Sequence, residues 1–353
     1  WATMIETRAV PRCRRHPPRK IKIGIRGDAK TAPPEIITPA VQRGDSAIVC
    51  VAARDVARAE TLALSSGIPE VEKSYEALIA RSDIDLIYNA LPPHRHADLS
   101  IAALKAGKAV LCEKPFAMNA SEAARMVQVA AETGGTLIEA FHYRYHPAFE
   151  RALEITRSGM LGEITEVTAK FSVEIPYKTG ELRHTLAIGG GSLMDLGCYP
   201  LHWARTLIGQ EPAIASAKAV CEQDNVDLSI QAVLAFPGGA RGDISCSMAP
   251  GVETEAYIEL KGREGHLTMT NPLAPHMGHQ IKLTRNGETT TETVEAMTTY
   301  DHQLPHRMKE MQNRATTLTA GADAVATMTT TVATYTSSGP SPRRPHLNAS
   351  FGF

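Results

Sequence analysis

The chain has 353 residues, 43% of them hydrophobic and 21% charged, with a formal net charge of −1. That length exceeds one ordinary hydrophobic core and suits two domains of a soluble protein. The balanced charge offers no basic field to nucleic acid or a membrane surface, and no apolar run is long enough to span a bilayer.

Residues 1–20 form a basic extension in which Arg8, Arg12, Arg14, Arg15, Arg19 and Lys20 stand among prolines, and disorder is expected there. From residue 21 the pattern alternates strand and helix. Short apolar strands are expected over 21–25, 47–52, 85–89, 109–112 and 136–140, with helices opening at Pro33-Pro34 and spanning 56–64 and 121–132. Continuous apolar strands separated by helices predict an α/β, doubly wound parallel sheet over 21–141.

After Pro147 the texture changes. A helix over 148–156 precedes a strand over 164–173, and the triple glycine 189–191 opens a helix over 192–207. Alternating segments at 214–221, 228–236, 242–248, 254–261, 266–270 and 281–284 follow, with Pro237-Gly238-Gly239 and Asn286-Gly287 as hairpin turns. An α+β domain with a large, mostly antiparallel open sheet is therefore expected over 142–318. A closing helix over 319–336 should bury a stripe of Val325, Met328, Val332 and Tyr335, and 337–353 should be a loose tail.

Six cysteines (Cys13, Cys50, Cys112, Cys198, Cys221 and Cys246) lie without paired spacing, which fits reduced thiols in a cytoplasmic protein better than disulfides or a zinc site. His142 and His146 stand four apart, but Pro147 follows at once, so a shared helical face for a metal is not expected.

Two places carry chemistry. Between the first strand and the first helix, Gly27, Ala29 and Ala32 make a G-x-A-x-x-A turn, with Thr31 inside it, small enough to bring a pyrophosphate onto a helix N-terminus. At the end of the second strand Arg54 is placed for a ribose 2′-phosphate, so NADP is expected over NAD, and Asp55 reads as a helix cap. Arg26 and Asp28 fit this turn badly: each should point to solvent or weaken cofactor binding. Further on, Glu113-Lys114-Pro115 puts a lysine at the carboxyl end of a parallel strand, where such sheets bind ligands. Asp195 and Tyr199 share a helical face after the triple glycine.

Glu113-Lys114-Pro115 and the G-G-G-x-x-x-D-x-G-x-Y run ending at Tyr199 resemble the glucose-fructose oxidoreductase / inositol dehydrogenase / rhizopine-catabolism family (Gfo/Idh/MocA). Leu91-Pro92-Pro93 with His96, Ala106-Gly107-Lys108, Tyr145-His146-Pro147 and Asp323-Ala324-Val325 extend the match. The resemblance implies a Rossmann domain, a C-terminal sheet used for homo-oligomer contacts, and a small-molecule sugar, polyol or dihydrodiol substrate. Tyrosine at 199 and Arg183 place the chain with a subgroup like dimeric dihydrodiol dehydrogenases and NADP-dependent D-xylose dehydrogenases. It also implies that Asn89, Pro92, His96, Glu113 and Lys114 help hold the cofactor, and that Arg183, His202 and Tyr145 face the substrate.

Chemically, oxidising an alcohol by hydride loss requires a base for the hydroxyl proton. A lysine about 4 Å from a tyrosine, at an effective dielectric of about 20, favours the phenolate by about 4 kcal/mol, and desolvation opposes part of that. Lys114 is thus expected to polarise, Tyr199 to transfer the proton and Asp195 to hold a neighbouring hydroxyl. The competing readings are a trans-dihydrodiol dehydrogenase and a non-catalytic dinucleotide sensor or scaffold, the latter prompted by Arg26, Asp28 and the threonine-rich stretch 316–336.

Overall fold

The computed structural model describes residues 20–27, 32–178, 180–221, 225–313 and 318–345. Six strands, β1 (Ile21–Arg26), β2 (Ser46–Ala52), β3 (Glu70–Glu72), β4 (Leu86–Asn89), β5 (Ala109–Cys112) and β6 (Leu137–Glu139), form a parallel sheet in the order β3-β2-β1-β4-β5-β6. The order reverses between β1 and β4, so the crevice beyond their carboxyl ends is the ligand-binding switch point of such a sheet. Ile23, Ile25, Val51, Leu86, Val110 and Ile138 are fully buried between helices on both faces, as the unbroken apolar runs require.

Those helices begin with a wide turn at Pro33–Ile37 that runs into α1 (Thr38–Gln42). α2 (Val56–Ser66) is capped by Asp55, which accepts from Ala57 N at 3.0 Å and Arg58 N at 3.4 Å, and it stops at Gly67 with φ +67°. α3 (Tyr75–Ala80), α4 (His96–Lys105) and α5 (Ala120–Thr133) complete this half. β3 and α3 were not expected. A three-residue edge strand and a six-residue helix are too short to show a hydrophobic period. Arg26 does not point to solvent: its side chain is wholly buried, Nη1 donates to Leu99 O at 2.7 Å, and Nε and Nη2 lack a partner. Burial lowers its pKa to about 10.

α6 (Pro147–Arg157) leads into the second sheet. It comprises β7 (Ile164–Ser172), β8 (Ala213–Cys221), β9 (Asp227–Ala235), β10 (Arg241–Ser247), β11 (Glu255–Gly262), β12 (His266–Thr270), β13 (Ile281–Arg285) and β14 (Glu288–Glu292), in the order β14-β13-β12-β11-β7-β10-β9-β8. Every ladder is antiparallel except β7 with β10. Asn286 and Gly287 take positive φ at the β13–β14 turn, as a tight hairpin demands. Along β10, Gly242, Ile244 and Cys246 are buried while Arg241, Asp243 and Ser245 are not, so one face is packed and the other open. The packed face receives α7 (Cys198–Ile208) and α9 (Ala322–Ser338).

Against the first unit, on the His142–Tyr145 segment, α1 and the Pro33–Ile37 turn, packs α8 (Thr299–Asn313), also unexpected, because Pro305 lies inside it and its composition is polar. The buried stripe of α9 differs from the expected valines: Thr327, Met328, Thr331, Thr334 and Tyr335 face inward. The three threonine hydroxyls satisfy themselves on carbonyls one turn back, those of Asp323, Thr327 and Thr330, which lets a polar residue pack as an apolar one. The tail is not loose as far as residue 345: buried Arg343 donates to Gly190 O at 2.8 and 2.6 Å and to Asp227 Oδ1 at 2.6 Å.

Candidate active site

At the switch point Gly27 takes φ +100°, and an added Cβ would stand 3.0 Å from Ala90 O. Only glycine lets the chain turn there and leave its backbone open to a ligand, so this cradle fits a dinucleotide pyrophosphate. Ala32, at the far end of the turn, is buried; Ala29, Thr31 and Asp28 lie outside the described residues. Arg54 stands exposed just past β2, free to meet a phosphate.

The loop after β4 is held from within. Buried Asn89 donates to Ser100 Oγ at 3.0 Å and His96 O at 3.3 Å. The His96 ring lies 2.9 Å from Pro115 O and 2.6 Å from Leu91 O, wholly buried. His96 therefore ties the Leu91-Pro92 turn to the segment after Lys114, which places it behind the cofactor cleft and not in contact with it. Pro92 is partly exposed at that turn.

Glu113 ends β5. Its Oε1 accepts from the Tyr88 hydroxyl at 2.7 Å and its Oε2 from Lys114 N at 3.2 Å. Glu35 Oε2 lies 2.5 Å from the same Tyr88 hydroxyl. One phenolic proton cannot serve two carboxylates, so one of the pair retains a proton of its own. Burial first, then the Glu35 charge, pushes Glu113 up to about 8.

Lys114 crosses to the second unit. Its Nζ donates to Asp195 Oδ1 at 2.8 Å and Asp195 O at 2.9 Å, and lies 5.2 Å from the centre of the Tyr199 ring. Asp195 Oδ2 accepts from Arg183 Nε at 2.7 Å, and Arg183 also pairs with Glu181 at 2.9 Å. Burial pushes Asp195 up, but Lys114 and Arg183 outweigh it and hold the carboxyl down at about 2. Burial also opposes the Lys114 charge, yet Asp195 leaves it above its ordinary value. With Lys114 on one oxygen and Arg183 on the other, Asp195 anchors the lysine.

Tyr199 overturns an expectation. Burial raises its pKa well above 10, and the Lys114 charge is answered by Asp195 before it can draw out a phenolate. The resting group is a phenol. Its oxygen lies 3.2 Å from His142 Nε2, and the His142 ring lies against Tyr300 with centres 4.3 Å apart and planes tilted by 33°.

His202 and Tyr145 do not reach the cleft. The His202 ring is buried against Phe141, with Nδ1 bonded to the Tyr143 hydroxyl and Nε2 2.8 Å from Asp323 Oδ2. Tyr145 donates or accepts at Thr319 Oγ1 over 3.0 Å beneath the Arg307 guanidinium, 4.0 Å from its ring. Both are core groups, buried and held by partners within the fold. Sequence reasoning missed His142, Tyr300 and Glu35. His142 had a usable signal, since it follows β6 at the same carboxyl edge as Lys114. Tyr300 and Glu35 come from α8 and the Pro33–Ile37 turn, where nothing in the pattern marks them.

A glycine-turned parallel sheet, facing a lysine–aspartate–tyrosine cluster completed by a second sheet, is the build of a dinucleotide-dependent oxidoreductase. The chain belongs to the Gfo/Idh/MocA oxidoreductase family: it matches the oxidoreductase-family NAD-binding Rossmann fold over residues 21–141 and the family's C-terminal domain over residues 149–268. It is 33% identical over 317 residues to D-xylose 1-dehydrogenase (NADP(+)) 2 of Haloferax volcanii, covering 89% of this chain and 96% of that one. It is 34% identical to the trans-1,2-dihydrobenzene-1,2-diol dehydrogenase of Mus musculus, over 68% of this chain and 70% of the relative. Among solved structures, KijD10, a 3-ketoreductase of Actinomadura kijaniata in complex with NADP and TDP-benzene, superposes with a TM-score of 0.84 at 25% identity, over 91% of this chain and 98% of the other. No described helix is long and apolar enough to cross a membrane.

Proposed function

We propose that the protein is an NADP-dependent dehydrogenase or reductase of a sugar or polyol-like substrate, working at a CH–OH carbon. The carrying observation is that Lys114, from the carboxyl end of β5, meets Asp195 and Tyr199 of the second unit over the switch point. When bound, the nicotinamide nucleotide supplies the hydride acceptor or donor. Gly27 and Ala32 line its turn, and Arg54 pairs with the 2′-phosphate.

Lysine has three N–H donors. Asp195 takes two of those of Lys114, which aims the third at the reacting oxygen. Tyr199, a phenol at rest, gives its proton to the carbonyl oxygen in reduction; in oxidation it accepts the hydroxyl proton as its own O–H proton leaves. Arg183, partly exposed at the rim, meets substrate hydroxyls. In this reading residues 21–141 bind cofactor, residues 142–318 bind substrate, and the open face of the second sheet joins copies of the chain.

The test is NADP+ reduction by purified protein against aldoses, inositols and trans-dihydrodiols, with D-xylose the expected substrate. Lys114→Ala and Tyr199→Phe should each lower turnover by about 10²–10⁴. Near-normal rates in both variants would overturn the assignment.

A further inference from the structure

We propose that His142 is a positioning residue behind Tyr199, which takes the phenolic proton at Nε2 whenever the Tyr199 oxygen receives a proton from substrate. This rests on the catalytic reading of Tyr199 given above.

One tautomer of the His142 ring suits this transfer, and its hydrogen-bond partners accommodate it. Thr299 Oγ1 donates its single proton to Leu273 O at 3.3 Å. With the Thr299 proton on Leu273 O, the remaining Oγ1 lone pairs face His142 Nδ1 at 2.7 Å and accept from it. A neutral imidazole has one N–H, which leaves Nε2 as an acceptor facing the Tyr199 hydroxyl at 3.2 Å. The groups that face His142 keep it neutral. They are Lys114 from β5, Tyr199 from α7, Thr299 and Tyr300 from α8, and His146 on its own segment; none is an anion. Burial, followed by the Lys114 cation, brings the imidazole down to about 3.

In oxidation the substrate C–H bond breaks with its electron pair leaving as hydride to the oxidised nicotinamide nucleotide. The substrate O–H proton bonds to the Tyr199 oxygen while the Tyr199 O–H bond breaks and its proton bonds to Nε2. The phenol ends neutral, the product is a carbonyl, and the imidazolium beside Lys114 returns its proton to water. Reduction runs the same transfers backwards. His142 thus carries the charge in place of a buried phenolate during the hydride transfer; the imidazolium, which burial and Lys114 also disfavour, is short-lived for that reason.

Ring nitrogen NMR on the unliganded protein near neutral pH should show His142 neutral and protonated on Nδ1, with Nε2 shifting in Tyr199→Phe; an Nε2–H tautomer overturns the proposal whether or not a substrate is in hand. With an oxidisable substrate, wild-type kcat should be flat over about pH 6–9, whereas His142→Phe should rise about tenfold per pH unit, because Tyr199 must then ionise first. His142→Gln, which can hydrogen-bond but not take a proton, should show the same slope, and added imidazole should restore His142→Ala. A pH-independent loss in His142→Phe, with no rescue, overturns the proposal. Tyr199→Phe run in parallel separates the two readings: if it keeps near-normal turnover, the role of Tyr199 itself has failed.

Discussion

Two carboxylates flank Lys114, and they are driven in opposite directions. Asp195 meets the ammonium at 2.8 Å and Arg183 at 2.7 Å, and is held down at about 2. Glu113 is the neighbour of that lysine in sequence, yet it receives the Lys114 backbone N–H and faces Glu35 across Tyr88, and it rises to about 8. Adjacency in the chain decides little; what a carboxylate oxygen touches decides its charge. The result is an anion on one side of the lysine and a proton-retaining pair on the other, the kind of divergence that separates acid and base duties in an active site.

The comparison breaks most sharply at Asp195. Asp195→Asn removes the countercharge of Lys114 and leaves Arg183 with Glu181 alone, so the ammonium loses its aim and kcat should fall by about 100-fold. Steady-state kinetics read this directly, and an unchanged kcat would show that the lysine is oriented by something else.

Glu113 sharpens the other side through pH. From the unfolded value of 4.5 up to about 8 the folded chain holds a proton that the unfolded chain has released, so this group's effect on stability worsens as pH rises through that window. Asp195 does the reverse: its stabilisation is present above 3.8 and is lost as pH falls through about 2. Glu113→Gln should therefore gain over wild type between about pH 5 and 8, by about 5 °C in Tm at the upper end. Melting curves showing a constant offset across that range would contradict the raised pKa.

At the cofactor edge a smaller effect is expected. Arg54→Ala should raise the KM for NADP+ about tenfold and leave that for NAD+ unchanged. Equal changes for both cofactors would remove Arg54 from the 2′-phosphate site. The mildest change concerns Arg26, whose buried Nε and Nη2 lack partners. Arg26→Leu should leave kcat alone and stabilise the fold by about 1 kcal/mol, measured by urea unfolding.

Much of this was legible. The apolar runs of β1, β2, β4 and β5, the Asp55 cap with the Gly67 stop, and the hairpin at Asn286-Gly287 all follow from local pattern, and local pattern is what periodicity and turn chemistry report. Lys114, Asp195 and Tyr199 were marked by motif and strand-end position. α8 was hidden by Pro305 and polar composition, because it is held by packing on α1, the Pro33–Ile37 turn and the His142–Tyr145 segment, with Leu304 and Met308 reaching the hydrophobic cluster. With it Tyr300 and Thr299 stayed hidden. His202 and Tyr145 were misplaced because a residue near a cleft in sequence may turn inward, and only the partners Asp323 and Thr319 show that it does.

By itself, then, the order of residues determined which elements form, which strand ends carry reactive side chains, and where glycine must free the backbone, since these depend on neighbours a few positions away. Tertiary structure alone decided the charge states: a tyrosine pKa raised by burial where Lys114 was expected to lower it, an anchored lysine, and a neutral histidine behind the phenol. Protonation depends on burial and on charges brought together from distant parts of the chain, and those distances exist only once it has folded.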